Sequence, residues 1–432
     1  MSDLKHNPFV SFRSASRGLH EPLLKVQNIS HQARFALDGV LDADIVLLES
    51  ASAVAPFFDA INALAADATD SNPLFESAAL TAALDHLPTG SGVQVALVWS
   101  DKSPVGPRQL IGVFPFQIKR FYLGLPVAVW SVWTHKYNFL ATPLLRKARE
   151  HEALRRFMRF ADQSGARLMR FPLFQADGVF GAVLADIAGE RGLPLAETER
   201  HERALLDASQ TSEAYLAAHM RKKKRKEYNR LWNRMAELGD VSFDTLEDKS
   251  DLDLWLKNFL LLERSGWKGK RGTALAEHQG DAEFFENLCR SNMAQNKLHL
   301  ARITLNAKPI AMLVSFIAGD GAYSFKIAFD EDYARYSPGA WLMMKVIDAF
   351  HADPRVNWVD SCAIPNHPMI DHIWAERRQM RAVNMATHHR LSPWLIIYSE
   401  HMTRIVARVW NVARQTYYRL REEIERDRSD QS

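Results

Sequence analysis

Tyr323-Ser324-Phe325-Lys326-Ile327-Ala328-Phe329 runs through Asp330-Glu331-Asp332-Tyr333-Ala334-Arg335 into Tyr336-Ser337-Pro338-Gly339-Ala340-Trp341. The first run alternates, and a period of two sets Tyr323, Phe325, Ile327 and Phe329 on one face of a strand, with Lys326 on the other. An acidic, aromatic loop ends it. Ser337-Pro338-Gly339 then reads as a helix start: a serine able to cap, a proline suited to the first turn, and a glycine that lets a ligand approach the backbone. The free N–H groups and partial positive charge of a helix start seat a phosphate or pyrophosphate. Taken alone, Ser-Pro-Gly reads as plain helix capping before it reads as a ligand seat. Its neighbours give it meaning.

Upstream, 299–305 and 310–317 read as strands, turned at Asn306-Ala307-Lys308-Pro309 and Ala318-Gly319-Asp320-Gly321. Helices are expected over 251–265 and 281–294 before them. A helix over 340–351, a strand over 356–360 and a helix over 368–379 follow. The first half repeats this order: helices over 51–66 and 74–84, strands over 93–99, 110–118 and 127–133, a helix over 146–163, a strand over 166–172 and a helix over 179–190. Helix-helix-β-β-β-α-β-α thus occurs twice. The fold class expected is α/β (α+β), as tandem modules that each hold a mixed, mainly antiparallel sheet flanked by helices; one large mixed sheet is the rival arrangement. The modules are placed at 1–205 and 206–392, with a basic, amphipathic helical tail over 393–432.

The 432 residues are too many for one ordinary domain. An apolar fraction of 47% and a charged fraction of 24% are those of a soluble globular chain. The net charge of +3 gives no global reason to bind nucleic acid. The N-terminus has no apolar core of a secretory signal, and the longest apolar stretch, 123–133, is about half of the ~20 residues that span a bilayer. Two cysteines exclude a disulfide framework and a cysteine-based metal site, so a cytoplasmic protein without a metal is expected. Between the halves, Arg221-Lys222-Lys223-Lys224-Arg225-Lys226 reads as the solvated or phosphate-facing side of a helix, because Tyr228, Leu231, Trp232, Met235 and Leu238 follow at helical spacing. In the tail, Met402, Ile405, Val406, Val409, Trp410 and Tyr417 fall near one side, among Arg404, Arg408, Arg414 and Arg421. Packing against the body is the plainer reading and an interfacial membrane helix the sharper one.

Three antiparallel strands feeding a phosphate-type loop and helix, then a strand ending in Asp360, is the layout of the GNAT acyltransferases. More closely, the second half resembles the CelD-like acyltransferase family of cellulose and exopolysaccharide biosynthesis, related to the Fem-type peptidyltransferases. The resemblance rests on three features. They are Glu263-Arg264-Ser265-Gly266-Trp267-Lys268-Gly269-Lys270-Arg271-Gly272-Thr273-Ala274, the Lys326…Asp330…Tyr333…Ser337-Pro338-Gly339 run, and Asp360 followed by His367-Pro368 and Trp374-Ala375-Glu376-Arg377-Arg378. It covers about residues 210–390, and the first half only in topology and length. It implies an acyl-CoA donor, with the pyrophosphate on Arg335, Tyr336, Ser337, Pro338, Gly339, Ala340 and Trp341 and the pantetheine arm beside Phe325 and Ile327. The loop departs from the Gln/Arg-x-x-Gly-x-Gly/Ala pattern of ordinary GNAT enzymes, of which Arg335 and Gly339 keep a part.

Attack of an amine on a thioester needs a proton acceptor and donors for the oxyanion. Asp360 is the first candidate base, since burial at a strand end raises a carboxylate's pKa; an ion pair with an arginine such as Arg377 is its plainer role. Glu263 and His367 are the others. Trp267, Lys268, Lys326 and Trp374 are expected around the acceptor, with Lys326 meeting its phosphate or carboxylate or pairing with Asp330. Thr134-His135-Lys136-Tyr137-Asn138 occupies the matching loop of the first module without a following glycine, so His135 and Tyr137 are expected to select the acceptor. The function expected is an N-acyltransferase acting on an amine of a sugar or sugar-nucleotide precursor. A Fem-type transferase using aminoacyl-tRNA on the basic run, and a non-catalytic scaffold, are the alternatives.

Overall fold

The structure, a computed structural model, describes residues 26–29, 43–88, 92–101, 108–406, 408, 409 and 416. Among the described residues, fourteen strands form one sheet. They are β1 (Val26–Ile29), β2 (Ile45–Leu48), β3 (Val93–Trp99), β4 (Leu110–Lys119), β5 (Val129–Val132), β6 (Leu144–Leu145) and β7 (Leu168–Gln175), then β8 (Leu195–Asp207), β9 (Val241–Thr245), β10 (Leu298–Leu305), β11 (Lys308–Ala318), β12 (Gly321–Phe329), β13 (Trp358–Asp360) and β14 (Glu376–Ala386). The spatial order is β1-β2-β3-β4-β5-β7-β14-β8-β13-β12-β11-β10-β9, with β6 beside β4. The principal helices are α1 (Phe58–Ala66), α2 (Ser77–His86), α3 (Glu150–Gln163), α4 (Val179–Glu190), α5 (Ser212–His219), α6 (Lys222–Ala236), α7 (Leu252–Ser265), α8 (Gln279–Ala294) and α9 (Pro338–Ala352).

The repeated order of elements is present except for the last helix of the second half, and the halves are fused by exchanged strands. β8 of the first half pairs with β13 of the second, β14 of the second pairs with β7 of the first, and β8 and β14 pair with each other. A division at 205/206 therefore runs through β8. The helix expected over 368–379 is absent: a short turn at Ile370–His372 leads into β14. Arg377, Arg378 and Gln379 there face cross-strand partners on β8, and a ladder with a distant strand overrides the local helical preference.

In the second half the sheet separates two cores. β11 alternates between them, sending Met312, Val314, Phe316 and Ala318 to the side covered by α7 and α8, and Leu313 and Ile317 to the side covered by α6 and α9. Alternation on β12 breaks. Val314 pairs with Lys326 but Ser315 pairs with Ser324, so Phe325 is an extra residue, a β-bulge. Tyr323 and Phe325 consequently join the α7–α8 core, while Ile327 and Phe329 join the α6–α9 core. The single aromatic face expected from the sequence does not form, and Lys326 lies on the same side as Phe325.

Candidate active site

β12 and β13 are parallel and pair only over Gly321–Tyr323 and Trp358–Asp360. Beyond that point they fork. The gap is a cavity of about 490 Å³, lined by Ser324–Phe329 on one side, by Ser361, Cys362, Ala363 and 367–370 on the other, and by Glu263, Gly266, Trp267 and Lys268 at one end. Its walls are mostly apolar.

Glu263 is buried near the C-terminus of α7, and three donors meet its carboxylate. Lys268 Nζ (2.8 Å) and Lys326 Nζ (3.3 Å) donate to Oε1, and the Leu275 N–H donates to Oε2 (2.8 Å). Lys268 also donates to the carbonyl of Ile327 at 3.2 Å. The short helix Trp267–Lys270 folds back on α7 to deliver Lys268, and Gly269 permits that close approach: a Cβ there would lie 1.8 Å from the Arg264 carbonyl oxygen. Lys326 reaches Glu263 because of the bulge, and its ammonium sits 4.9 Å above the Tyr137 ring. Asp330 is bound to Lys308 instead, at 3.0 Å. The burial of Glu263 is outweighed by the two ammoniums, which hold its pKa below the usual carboxylate value, while burial and the neighbouring Lys268 lower that of Lys326. Two cations thus face one carboxylate in an apolar pocket.

Asp360 is fully buried behind the fork and does not line the cavity. Its Oδ2 accepts from Arg203 Nη2 (2.7 Å) and Arg378 Nη1 (2.9 Å), and Oδ1 accepts from the Cys362 N–H (2.9 Å). Burial was expected to raise its pKa; the two guanidiniums and the N–H lower it instead. The partners are Arg203 and Arg378 rather than Arg377, which donates to the carbonyls of Trp374, Ala375, Glu376 and Asp371. Sequence reasoning missed Arg203 and Arg378 as a pair because they meet only through the exchange of β8 and β14. Cys362 lines the cavity with φ 52°, and burial pushes its thiol pKa well up, so it stays protonated.

His367 lines the cavity, half-buried, with its pKa lowered by desolvation. Its Nδ1 accepts from the N–H groups of Met369 (3.3 Å) and Ile370 (3.4 Å), so the neutral ring carries its proton on Nε2. Trp267 lies at the rim, about half exposed, and its backbone N–H donates to Glu331 Oε1 at 2.6 Å. Trp374, expected around the acceptor, is instead fully buried in the α6–α9 core and away from the cavity, because the turn into β14 drives it inward.

Of the residues expected to hold the donor, Phe325 and Ile327 line the cavity. The loop after β12 is built otherwise than expected. Ser337 adopts a left-handed conformation (φ 54°, ψ 51°) between the turn Glu331–Tyr336 and α9, and its side chain caps nothing. Side-chain capping requires an extended residue, which this is not. Tyr336, Pro338, Gly339, Ala340 and Trp341 are buried, with Trp341 against Trp232 of α6 at 4.8 Å, while Arg335 is exposed over the Tyr336 ring. Gly339 sits against Phe329 and Met369, which both line the cavity, so the first turn of α9 adjoins it.

His135 and Tyr137 come from the first half to the α8 side of β12. Tyr137 stacks on Phe284 (5.4 Å) and covers Lys326; His135 is buried among Trp133, Tyr137 and Phe284, its pKa pushed down to about 3 by desolvation. Neither lines the cavity. Tyr137 touches a residue that does.

Residues 222–367 match the model of an acetyltransferase (GNAT) domain. That stretch holds β9 to β13, the fork and α9, so the second half carries a GNAT acyltransferase fold. None of the curated proteins matches the chain in sequence. Among solved structures, FemX is 10% identical with a TM-score of 0.50, covering 75% of this chain and 95% of its own, which shows a shared fold. A conserved protein of unknown function from Bacteroides thetaiotaomicron VPI-5482 is 11% identical with a TM-score of 0.49, over 77% of this chain and 97% of its own. A tandem GNAT protein from the clavulanic acid biosynthesis pathway is 14% identical with a TM-score of 0.36, over 79% of this chain and 98% of its own.

Proposed function

We propose that the chain is an N-acyltransferase that moves an acyl group from a coenzyme A thioester to an amine, the acceptor being a sugar or sugar-nucleotide precursor of an extracellular polysaccharide. The fork carries this reading. From Ser324 to Phe329, β12 has no strand on its β13 side among the described residues. An amide-bearing pantetheine arm adds there as an extra strand, as peptides add to open sheet edges. Its phosphates then lie toward the first turn of α9, where the N–H groups of Gly339 and Ala340 precede the first intrahelical bond, Trp341 N–H to the Ser337 carbonyl. The sugar acceptor is supported by the resemblance over residues 210–390, and a coenzyme A donor would suit a reaction in the cytoplasm.

Attack of the amine forms the C–N bond and moves the carbonyl π pair onto oxygen, beside the Lys326 and Lys268 ammoniums. Fixed charges in an apolar site stabilise such an oxyanion. Collapse breaks the C–S bond, and the thiolate leaves with the proton that the amine gives up, yielding amide and thiol. Glu263 then positions both lysines, and the Nε2–H of His367 is a further donor. Asp360 is left with a structural role. Native mass spectrometry of the purified chain with a panel of acyl-CoAs tests this: one acyl-CoA per chain is expected. Lys326→Met should retain it while turnover falls by about 10²-fold. Retention of no acyl-CoA refutes the reading.

One observation favours a Fem-type donor, aminoacyl-tRNA, as the second reading. The exposed Lys222, Lys223, Arg225 and Lys226 of α6 stand beside the start of α9, since Tyr228 and Trp232 pack on Trp341 and Lys224 Nζ donates to the carbonyl of His372 at 3.1 Å. Tight, salt-sensitive tRNA binding without acyl-CoA binding would select it.

A further inference from the structure

Away from the cavity, the helix over 392–406 closes one end of the sheet. Leu395 and Ile396 fill a small core with Val129, Leu168, Ala196 and Ala386, and Ser399 is buried beside them. At 3.6 residues per turn, Trp394, Ile397, Ile405 and Val409 fall on the opposite side. They are 53%, 57%, 49% and 63% exposed. Trp394 stacks on Tyr398, whose hydroxyl donates to the carbonyl of Leu123 at 2.8 Å. That bond joins the helix to the tip of the β4–β5 hairpin, where Phe121 is 72% exposed and Ile118 39%. Exposed cations border this apolar face: Lys119 and Arg120 on the hairpin, and Arg390, Arg404 and Arg408 along the helix. The only acid in 390–409 is Glu400, and it is bound to Arg404.

We propose that this face docks on the surface of an anionic lipid bilayer. Large apolar side chains interleaved with arginines are the composition of an interfacial helix: the rings and branched chains enter the boundary of the acyl region while the guanidiniums meet lipid phosphates. No helix among the described residues is long and apolar enough to cross a membrane, so the contact is interfacial. The charge selects the partner. With Arg404 paired to Glu400, an apolar protein face would leave the other four bordering cations unanswered, whereas a phosphate-bearing surface answers them. The two contributing elements come from different halves of the sequence and are held by the same sheet, so the face is presented already assembled.

Flotation of the full chain with vesicles of phosphatidylcholine alone, and of phosphatidylcholine mixed with phosphatidylglycerol, tests the proposal. Binding to the mixed vesicles is expected, falling as salt rises. Ile397→Ser and Phe121→Ser, each on an exposed position of a different element, should weaken it by about tenfold apiece, the effect of withholding one partly buried apolar side chain. Circular dichroism should show both variants folded. Failure of the unsubstituted chain to float with the mixed vesicles overturns the proposal, as does binding indifferent to both substitutions. So does light scattering that finds a dimer which Ile397→Ser converts to a monomer, because a second copy would then cover this face.

Discussion

Replacing Asp360 by Asn separates a structural carboxylate from a catalytic one. Asp360 balances two guanidiniums that are themselves buried, Arg203 at 2% exposure and Arg378 at 5%. The amide keeps the shape and loses the charge, so two cations remain in a site where even one is costly. Removing one partner of a buried ion pair costs about 3–5 kcal/mol. The sheet runs unbroken through both halves across β14, β8 and β13, so the loss is felt by one cooperative unit. At roughly 2.1 cal/mol/K per residue, the 432 residues give an unfolding entropy of about 0.9 kcal/mol/K, and Tm should fall by about 3–6 °C. The pH dependence has a definite sign. The two guanidiniums hold the folded pKa of Asp360 below the ordinary 3.8, so its contribution is full above that value and is lost as pH falls through the lower folded pKa. The Asn variant should lack this acid limb. Thermal melts by circular dichroism from neutral to acid pH read both effects, and turnover is measured well below the melting range. The triple change Arg203→Met, Asp360→Leu and Arg378→Met, which removes all three charges, should recover much of the loss. A variant that melts with the parent refutes the argument. So does one that is stable but has lost turnover, which would return Asp360 to the role of base.

The closed end of the fork is a second target. A Cβ on Gly321 would meet the Trp358 ring at 2.2 Å, and that ring is held by Asp320 and lies under Arg378. Gly321→Ala should therefore destabilise by about 1–3 kcal/mol and weaken acyl-CoA binding by prying β12 from β13; unchanged melting and an unchanged dissociation constant by calorimetry would contradict this. His135 gives a pH prediction. Its folded pKa of about 3 lies below the ordinary 6.5, so stability is full above about 6.5 and falls as pH drops toward 3, where the unfolded chain binds the proton and the folded one does not. His135→Gln should flatten that slope in urea titrations between neutral pH and about pH 4, and equal slopes would refute it.

What the sequence made legible follows from how local each signal is. Strands β10 to β13 and helices α4, α7, α8 and α9 lie close to where apolar runs and turn residues put them, because the code for each is contained in its own few residues. β8 is different. Its Glu197, Glu199, Arg200, Glu202 and Arg203 leave it no apolar run to mark a strand, and it is a strand because β14 lies beside it nearly two hundred positions later. β14 carries the same ambiguity in reverse. Since Arg203 and Arg378 sit on these two strands, the partners of Asp360 were hidden with them, although Asp360 itself was marked by its place at a strand end. Trp374 was misread for a related reason: next to charged residues it resembles a site tryptophan, and only the turn into β14 shows that it faces the core.

The bulge at Phe325 shows how one residue controls the candidate site. Had β12 alternated without interruption, Lys326 would face the α6–α9 core with Ala322 and Ser324, where it would meet Leu342, Val346 and their neighbours and no carboxylate. The extra residue returns Lys326 to the side of α7, where Glu263 is waiting and where Tyr137 crosses from the other half. It also turns Ile327 so that its carbonyl meets Lys268. An interruption of this kind leaves no mark in a pattern of alternating residues, because Tyr-Ser-Phe-Lys-Ile-Ala-Phe fits an unbroken strand perfectly well. Residue types therefore announce that a charged cluster exists, whereas the pairing of β12 with β11 decides which charges share a wall of the cavity. The lysine that faces the acyl carbonyl in the proposed reaction owes its place to that register shift.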